Sequence, residues 1–248
     1  MTTVSTVVLT LNEERNIAEC LNTLTWSDGM LVLDSFSEDD TERIARDMGA
    51  EVRRREFDDY ASQRNAGLSL ASSEWVFFVD ADERVTTELA DEVRNAVEDE
   101  ALDGWWVPRK NYIFGKWIRH AGWFPDYQLR LLRRGKARYD EGRPVHELVL
   151  LDGEAGFLHN PLVHLNYSTV REFAKKQNRY TDLEVRMLRE SGVPAKPWNF
   201  LLQPLRQFRW RYITLRGYKD GWRGFLLSAL LGYYEFVRYW RLSRPQHS

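Results

Sequence analysis

The sequence predicts an α/β domain built on a mostly parallel sheet and followed by a helical extension. Three observations carry this. From Val4 to Glu83, short apolar and β-branched runs alternate with segments of helical periodicity. One run, Trp75-Val76-Phe77-Phe78-Val79, is continuous enough to be buried on both faces, and it passes directly into Asp80-Ala81-Asp82-Glu83. From Lys196 onward the charge changes sign: ten Lys and Arg stand against two acids, Asp220 and Glu235, a net of +8, whereas the rest of the chain carries −10. The expected boundaries are 1–195 for the α/β domain and 196–248 for a basic, aromatic extension.

Val4 to Leu11 reads as the first strand. Asn12 is placed to cap a helix whose apolar positions Ile17, Cys20, Leu21 and Leu24 recur at helical spacing. Met30 to Leu33 is a second strand ending at Asp34, and the polar turn 35–41 leads into a helix that Gly49 ends. Glu51 to Arg54 is a third strand, Tyr60 to Leu70 a third helix, and the run before Asp80 a fourth strand. Parallel sheets bind ligands beyond their strand C-termini, where Asp34 and Asp80 both fall. Thr86 or Thr87 caps an acidic helix expected to run through Glu100. The pattern then turns aromatic and strand-like over Trp105 to Ile118, with Pro108 and Gly115 as breaks. A loop at 122–128 precedes a strand at Leu129 to Leu132, and Gly135, Gly142 and Gly153 punctuate further short strands.

Composition narrows the classes. A chain of 248 residues can bury a substantial core, as one large domain or one domain with an appendage. A single cysteine, Cys20, excludes an intrachain disulfide and a cysteine-rich zinc site, and it fits a reducing compartment. The N-terminus has no basic n-region and its apolar stretch stops at Asn12, so no signal peptide is predicted.

Side chains two apart on an extended segment point to the same side, so Asp80 and Asp82 are expected to converge on one object. Two carboxylates that close repel by about a few kcal/mol. A divalent cation, Mg²⁺ or Mn²⁺, carrying a phosphate-bearing ligand would offset that repulsion. The competing reading is a solvated acidic turn. Position directly after a buried strand favours the functional one.

Four motifs carry a resemblance: Val-Val-Leu-Thr-Leu-Asn-Glu-Glu at 7–14, Leu-Asp-Ser-Phe-Ser-Glu-Asp-Asp-Thr at 33–41, Gln-Arg-Asn at 63–65 and Asp-Ala-Asp-Glu at 80–83. Together they resemble the inverting family 2 glycosyltransferases, whose GT-A fold is a Rossmann-like, mostly parallel sheet. Two later stretches, Trp-Phe-Pro-Asp-Tyr-Gln-Leu-Arg-Leu at 123–131 and Gly-Arg-Pro-Val-His-Glu at 142–147, are similar to the bacterial lipopolysaccharide-core β-glucosyltransferase branch. The resemblance implies that Asp34 reads the uracil of a UDP-sugar and that Arg64 lies against the nucleotide or diphosphate. Asp80 would face the ribose, Asp82 would ligate the metal bridging the diphosphate, and Asn12 is counted with the nucleotide contacts. Asp126 takes the place of the catalytic base. One departure bears on the backbone: Ser37-Glu38-Asp39-Asp40-Thr41 stands where the family has Ser-Thr-Asp-Gly-Thr.

The chemistry of these residue types agrees. A general base is a carboxylate within hydrogen-bond reach of the acceptor hydroxyl, and Trp123, Phe124 and Tyr127 would flank Asp126 with surfaces that exclude water and stack on sugars. The plainer reading of Asp126 is a turn-capping Asp after proline. His146 is either a third metal ligand, a diphosphate contact or a structural histidine, with Glu147 beside it to orient the ring or the acceptor. Arg130 and Arg133 either meet phosphate or lie on a strand's exposed face.

In the extension, Phe225 to Val237 is apolar except for Ser228, Gly232 and Glu235, short of the roughly 20 residues a membrane span needs. Arg206, Arg209, Arg211, Arg216, Lys219 and Arg223 alternate with Trp210, Tyr212 and Trp222, the composition of a lipid headgroup interface. The expectation is that these cations face headgroups while Phe225 to Trp240 packs on the domain and offers an aromatic edge to lipid. A core helix covering the sheet is the competing reading. No nucleic-acid-binding module accompanies the charge.

The sequence therefore predicts a metal-dependent inverting glycosyltransferase. It would move a hexose, glucose, from a UDP-sugar to a lipid-linked or envelope glycan, peripheral on the inner, cytoplasmic face of the membrane. No oligomeric state follows. The rivals are a non-catalytic membrane-associated nucleotide-sugar-binding protein of the same fold and an aspartate-dependent phosphohydrolase. The latter places its acidic pair on the first strand with Thr or Val four residues after the first Asp; here that residue is Arg84 and the pair follows the fourth strand.

Overall fold

In the computed structural model, which describes residues 2–142 and 148–244, the apolar runs form strands and the periodic segments between them form helices. In order these are β1 (Val4–Thr10), α1 (Ile17–Asn22), β2 (Gly29–Asp34), α2 (Thr41–Asp47), β3 (Glu51–Arg54), α3 (Tyr60–Leu70), β4 (Trp75–Asp80), β5 (Glu83–Arg84) and α4 (Thr87–Ala96). Next come β6 (Gly104–Ile113), β7 (Lys116–Trp117), β8 (Asp126–Arg133), β9 (Ala137–Tyr139), β10 (Val149–Leu151), β11 (Ala155–Phe157) and β12 (Leu162–Tyr167). The chain closes with α5 (Val170–Glu190), α6 (Asn199–Arg209), a π-helical turn at Trp210–Thr214, a 3₁₀ turn at Gly217–Asp220, and α7 (Trp222–Ser243). Two compact units result: Met1–Arg109 with Tyr127–His164, and Lys110–Asp126 with Leu165–Ser248.

The first unit is organised by its sheet, in the order β3-β2-β1-β4-β8-β6-β12-β5. β1 runs parallel to β2 and β4, with Thr10 opposite Asp34 and Leu9 opposite Asp80, so both aspartates arrive at one edge of the sheet. β8 returns antiparallel to β4, with Phe77 opposite Leu131. β4 is buried on both faces, as its unbroken apolar run requires. Phe77 and Val79 pack with Ile17 and Leu21 of α1 and Leu89 and Val93 of α4, while Val76 and Phe78 pack with Ala61 and Leu68 of α3. Gly67 lets α3 lie close on the sheet, since a Cβ there would come within 2.9 Å of Val7 Cγ1. Cys20 is fully buried against β4, its Sγ 3.6 Å from the Asp80 carbonyl oxygen.

Several expectations change. Asn12 caps no helix: α1 begins only at Ile17, and Asn12 has left-handed backbone (φ 57°) with its side chain turned to a neighbouring loop. The acidic helix stops at Ala96 rather than Glu100, because Glu98, Asp99 and Glu100 would bring negative charge to a helix C-terminus. Pro108 interrupts nothing; β6 continues through it and turns at Phe114-Gly115 (φ 52° and 73°). Asp82 lies in a turn between β4 and β5, so strand alternation does not place it beside Asp80.

In the second unit α5 and α6 pack on α7, whose Leu227, Tyr234 and Val237 share a core with Ile113, Ile118, Tyr167 and Phe173. The polar positions of α7 serve packing. Ser228 is buried and donates to the Gly224 carbonyl at 2.7 Å, and a Cβ on Gly232 would sit 3.1 Å from the Pro204 carbonyl oxygen of α6. A Cβ on Gly224 would fall 1.9 Å from the Gly217 carbonyl oxygen, so α7 starts in contact with the backbone of the preceding turn. Among the described residues no helix is long and apolar enough to cross a membrane.

Candidate active site

The C-terminal ends of β1 and β2 open into two loops that side chains stitch together. Asn12 N–H donates to Ser37 Oγ (2.8 Å), and Glu38 N–H returns to Asn12 Oδ1 (2.9 Å). Glu13 N–H reaches Thr41 Oγ1 (2.7 Å). Asp34 is fully buried and accepts from Thr10 Oγ1 (2.8 Å), Ser37 Oγ (2.6 Å) and Ser37 N–H (2.7 Å), which fixes the start of the second loop. The absent family glycine costs nothing here. Asp40 has an ordinary φ of −75°, and the left-handed residue of this turn is Phe36 (φ 62°).

The Gln-Arg-Asn motif lies on α3, and its three side chains reach three different elements. Gln63 Nε2 donates to Ser35 Oγ and to the carbonyls of Arg55 and Glu56 (3.1–3.2 Å). Asn65 exchanges hydrogen bonds with the Tyr139 backbone, accepting from its N–H at 2.7 Å and donating to its carbonyl at 3.0 Å. Arg64, buried, crosses the rings of Phe78 and Tyr139 to reach Asp80 Oδ1 at 3.1 Å.

Asp80 is also gripped by Arg130, buried on β8, through Nη1–Oδ1 (3.1 Å) and Nη2–Oδ2 (2.6 Å). Burial alone would raise this carboxyl; the Arg130 and Arg64 guanidiniums outweigh it and hold the group well below the usual carboxylate range. Glu83, fully buried, accepts the Asp80 N–H at 2.8 Å and lies 3.7 Å from Arg109 and 3.9 Å from Arg130. Burial first, and the Asp80 charge second, push its carboxyl up. Arg64 and Arg130 thus both contact Asp80 directly. Arg133, by contrast, pairs with Glu74 (2.7 Å) and Asp103 (3.5 Å), away from Asp80.

Asp82 meets a residue the sequence did not single out: its Oδ2 is 3.3 Å from Nε2 of His164, a buried residue of β12 whose register partner is Glu83. The only advance signal was a polar residue at an inward position of a short strand. His146 and Glu147 lie outside the described residues. Among the described residues no group of three His, Cys, Asp or Glu is poised around a metal position.

In the second unit Asp126 heads β8, and the buried Asn111 of β6 donates to Asp126 Oδ2 (3.2 Å) and the Trp123 carbonyl (2.9 Å). Asn111 in turn receives a 3.4 Å bond from Asn166. Asn111, too, was not anticipated. Of the aromatic flanks, Trp123 packs edge-on to Tyr167 (6.5 Å) and Phe124 edge-on to Trp117 (5.4 Å). Tyr127, in the first unit, packs edge-on to Phe157 (5.1 Å) and is 37% exposed.

Comparison with known proteins bears on this arrangement. Residues 5–160 match the sequence model described as Glycosyl transferase family 2. The chain is 29% identical over 241 residues to the Lipopolysaccharide core biosynthesis glycosyltransferase LpsC of Rhizobium meliloti (strain 1021), across 94% of this chain and 89% of that one. It is 24% identical over 250 residues to the uncharacterized glycosyltransferase RT0209 of Rickettsia typhi, across 96% and 86%. Among solved structures, it is similar to glucosyl-3-phosphoglycerate synthase from Mycobacterium tuberculosis in complex with Mn²⁺, UDP and glucosyl-3-phosphoglycerate. That similarity has a TM-score of 0.38 at 26% identity and covers 46% of this chain and 45% of the other, less than half of the solved chain.

Proposed function

We propose, because the chain belongs to glycosyl transferase family 2, that it moves a hexose, glucose, from a UDP-sugar to a lipid-linked or envelope-glycan acceptor with inversion at C1. The observation that carries this reading is the convergence of Arg64 and Arg130 on Asp80 at the C-terminal edge of the parallel strands, with Asp82 one turn further on. Two buried cations held by one carboxylate form a rigid anion-receptive wall of the kind a diphosphate needs. Asp34 and Asn12 hold the neighbouring loops in the shape that would receive the nucleotide base.

The residues fit a divalent metal as a partial set. Asp82 offers a carboxylate oxygen and His164 an imidazole nitrogen 3.3 Å apart, and the oxygens of a diphosphate and water would complete the shell. When bound, Mg²⁺ or Mn²⁺ neutralises charge developing on the departing diphosphate. Asp126 takes the proton of the acceptor hydroxyl as that oxygen attacks C1 from the face opposite UDP, and Asn111 holds the carboxylate in one orientation. The similarity to LpsC supports an acceptor of lipopolysaccharide-core type, and the basic extension supports a place on the inner face of the cytoplasmic membrane.

The test is turnover. Full-length protein given UDP-glucose, Mn²⁺ and a lipid extract carrying envelope glycans should yield a glycoside of inverted anomeric configuration. UDP binding with no transfer from any nucleotide sugar would leave the non-catalytic binding protein as the better reading.

A further inference from the structure

We infer that the outward face of α6 is an in-plane lipid-docking surface that beds into an anionic bilayer. A helix lying on a protein in water turns its apolar stripe inward and its polar side out. α6 packs Phe200 and Phe208 inward, against Phe236 and Phe225 of α7, yet turns a second apolar stripe outward. Trp198, Leu201, Leu202 and Leu205, at the i, i+3, i+4, i+7 spacing of one face, are 56%, 64%, 55% and 56% exposed, and Ile213 extends the stripe at 56%. Asn199 is buried and Gln203 and Gln207 are half-buried on the other side. At 11 residues α6 is too short to span a bilayer but long enough to lie along its surface.

Charge selects the occupant. Arg206 and Arg209 are exposed on α6, Arg209 in line with the stripe and Arg206 at its flank within electrostatic reach of Glu235 of α7, and Ser191 to Lys219 holds six Lys and Arg and no Asp or Glu. A second copy of the chain docking by two-fold symmetry would set these arginines against their own images with no acid between. Anionic headgroups take the arginines while the upper acyl region takes Leu and Trp. The sequence placed the apolar contact on Phe225 to Trp240. There Phe225, Tyr233, Phe236 and Trp240 are 51%, 56%, 39% and 39% exposed, and α6 adds a second, mostly aliphatic stripe.

The inference deepens, and rests on, the membrane-side acceptor reading above, so binding and transfer are scored separately. Full-length protein is sedimented with phosphatidylcholine vesicles with and without phosphatidylglycerol, over a range of salt. Wild type should bind only the anionic vesicles, less as salt rises. Leu201→Gln/Leu202→Gln/Leu205→Gln should lower the partition roughly tenfold or more while keeping UDP binding. Arg206→Gln/Arg209→Gln should lower it roughly tenfold and flatten the salt dependence. Should the triple variant fold poorly, Leu205→Cys carrying an environment-sensitive fluorophore must shift to the blue on anionic vesicles; unchanged emission overturns the inference. It is also overturned by a triple variant that binds as wild type, by wild type that ignores anionic vesicles, or by a wild-type dimer that the triple variant converts to monomer. Binding that depends on α6 without any glycosyl transfer keeps the docking face and removes the transferase reading. The reverse outcome removes only the docking face.

Discussion

Arg130 holds Asp80 with both terminal nitrogens, 3.1 Å to Oδ1 and 2.6 Å to Oδ2, and Arg64 adds a third contact at 3.1 Å. The first carboxylate of the acidic pair is thus committed to two arginines. Asp82, paired with His164, is the one that would meet a cation under the proposed function. The two aspartates therefore fail differently when altered.

Asp80→Asn keeps the shape and removes the carboxylate that Arg64 and Arg130 share, while Glu83 stays 3.9 Å from Arg130. Asp80 itself retains 31% side-chain exposure, so the cost is expected toward the low end for a broken buried pair, about 3 kcal/mol at pH 7 by urea unfolding. Because its native pKa is depressed, the stabilisation from Asp80 is present above its unfolded value and lost as pH falls through the native one. The deficit of the variant should accordingly shrink in strongly acidic buffer; a constant deficit would contradict the pairing.

For Glu83 the sign reverses. Its native pKa is raised, so the ionised group destabilises the fold at neutral pH, and that penalty is lifted as pH falls from the native toward the unfolded value. Glu83→Gln can still accept the Asp80 N–H without carrying charge. Thermal melts should show the variant at least as stable as wild type at pH 7, with the difference closing by about pH 4.

UDP binding by calorimetry should need divalent metal. Asp82→Ala should weaken it by at least the roughly 10–100-fold that loss of even an outer metal partner costs, and His164→Ala should weaken it in the same direction. Affinity that is unchanged and insensitive to EDTA in Asp82→Ala would remove the metal from this position.

Asp126→Asn nearly preserves volume and removes basicity. Transfer at saturating donor and acceptor should fall by roughly 10² or more with UDP binding intact. A wild-type rate means the base is elsewhere.

Gly224→Ala places a methyl group 1.9 Å from the Gly217 carbonyl oxygen, and backbone has to move to admit it. Unfolding of the second unit should be easier by about 1–3 kcal/mol, read by circular dichroism.

Much of the GT-A α/β domain was legible because its signals are local. The unbroken run of β4 announces burial on both faces, α3 runs from Tyr60 to Leu70 as expected, and Thr86 caps α4 by accepting the Leu89 N–H. What was illegible depends on register and on contacts between distant positions. Asp80 finds partners 16 and 50 residues away. His164 and Asn111 are single polar residues on strands, distinguished only by what the sheet sets beside them. The period of α6 reveals two faces but not which of them turns inward.

The thiol of Cys20 lies sealed against the Asp80 carbonyl, and burial pushes its pKa up to about 12. It is the chain's single cysteine, so the protein carries a built-in clock for its own breathing. A thiol reagent can react only in the moments when α1 lifts from β4, and the alkylation rate then reports how often this edge of the sheet opens. A bound donor that clamps this edge should slow the clock in proportion to its occupancy, a readout of donor engagement that needs neither acceptor nor turnover.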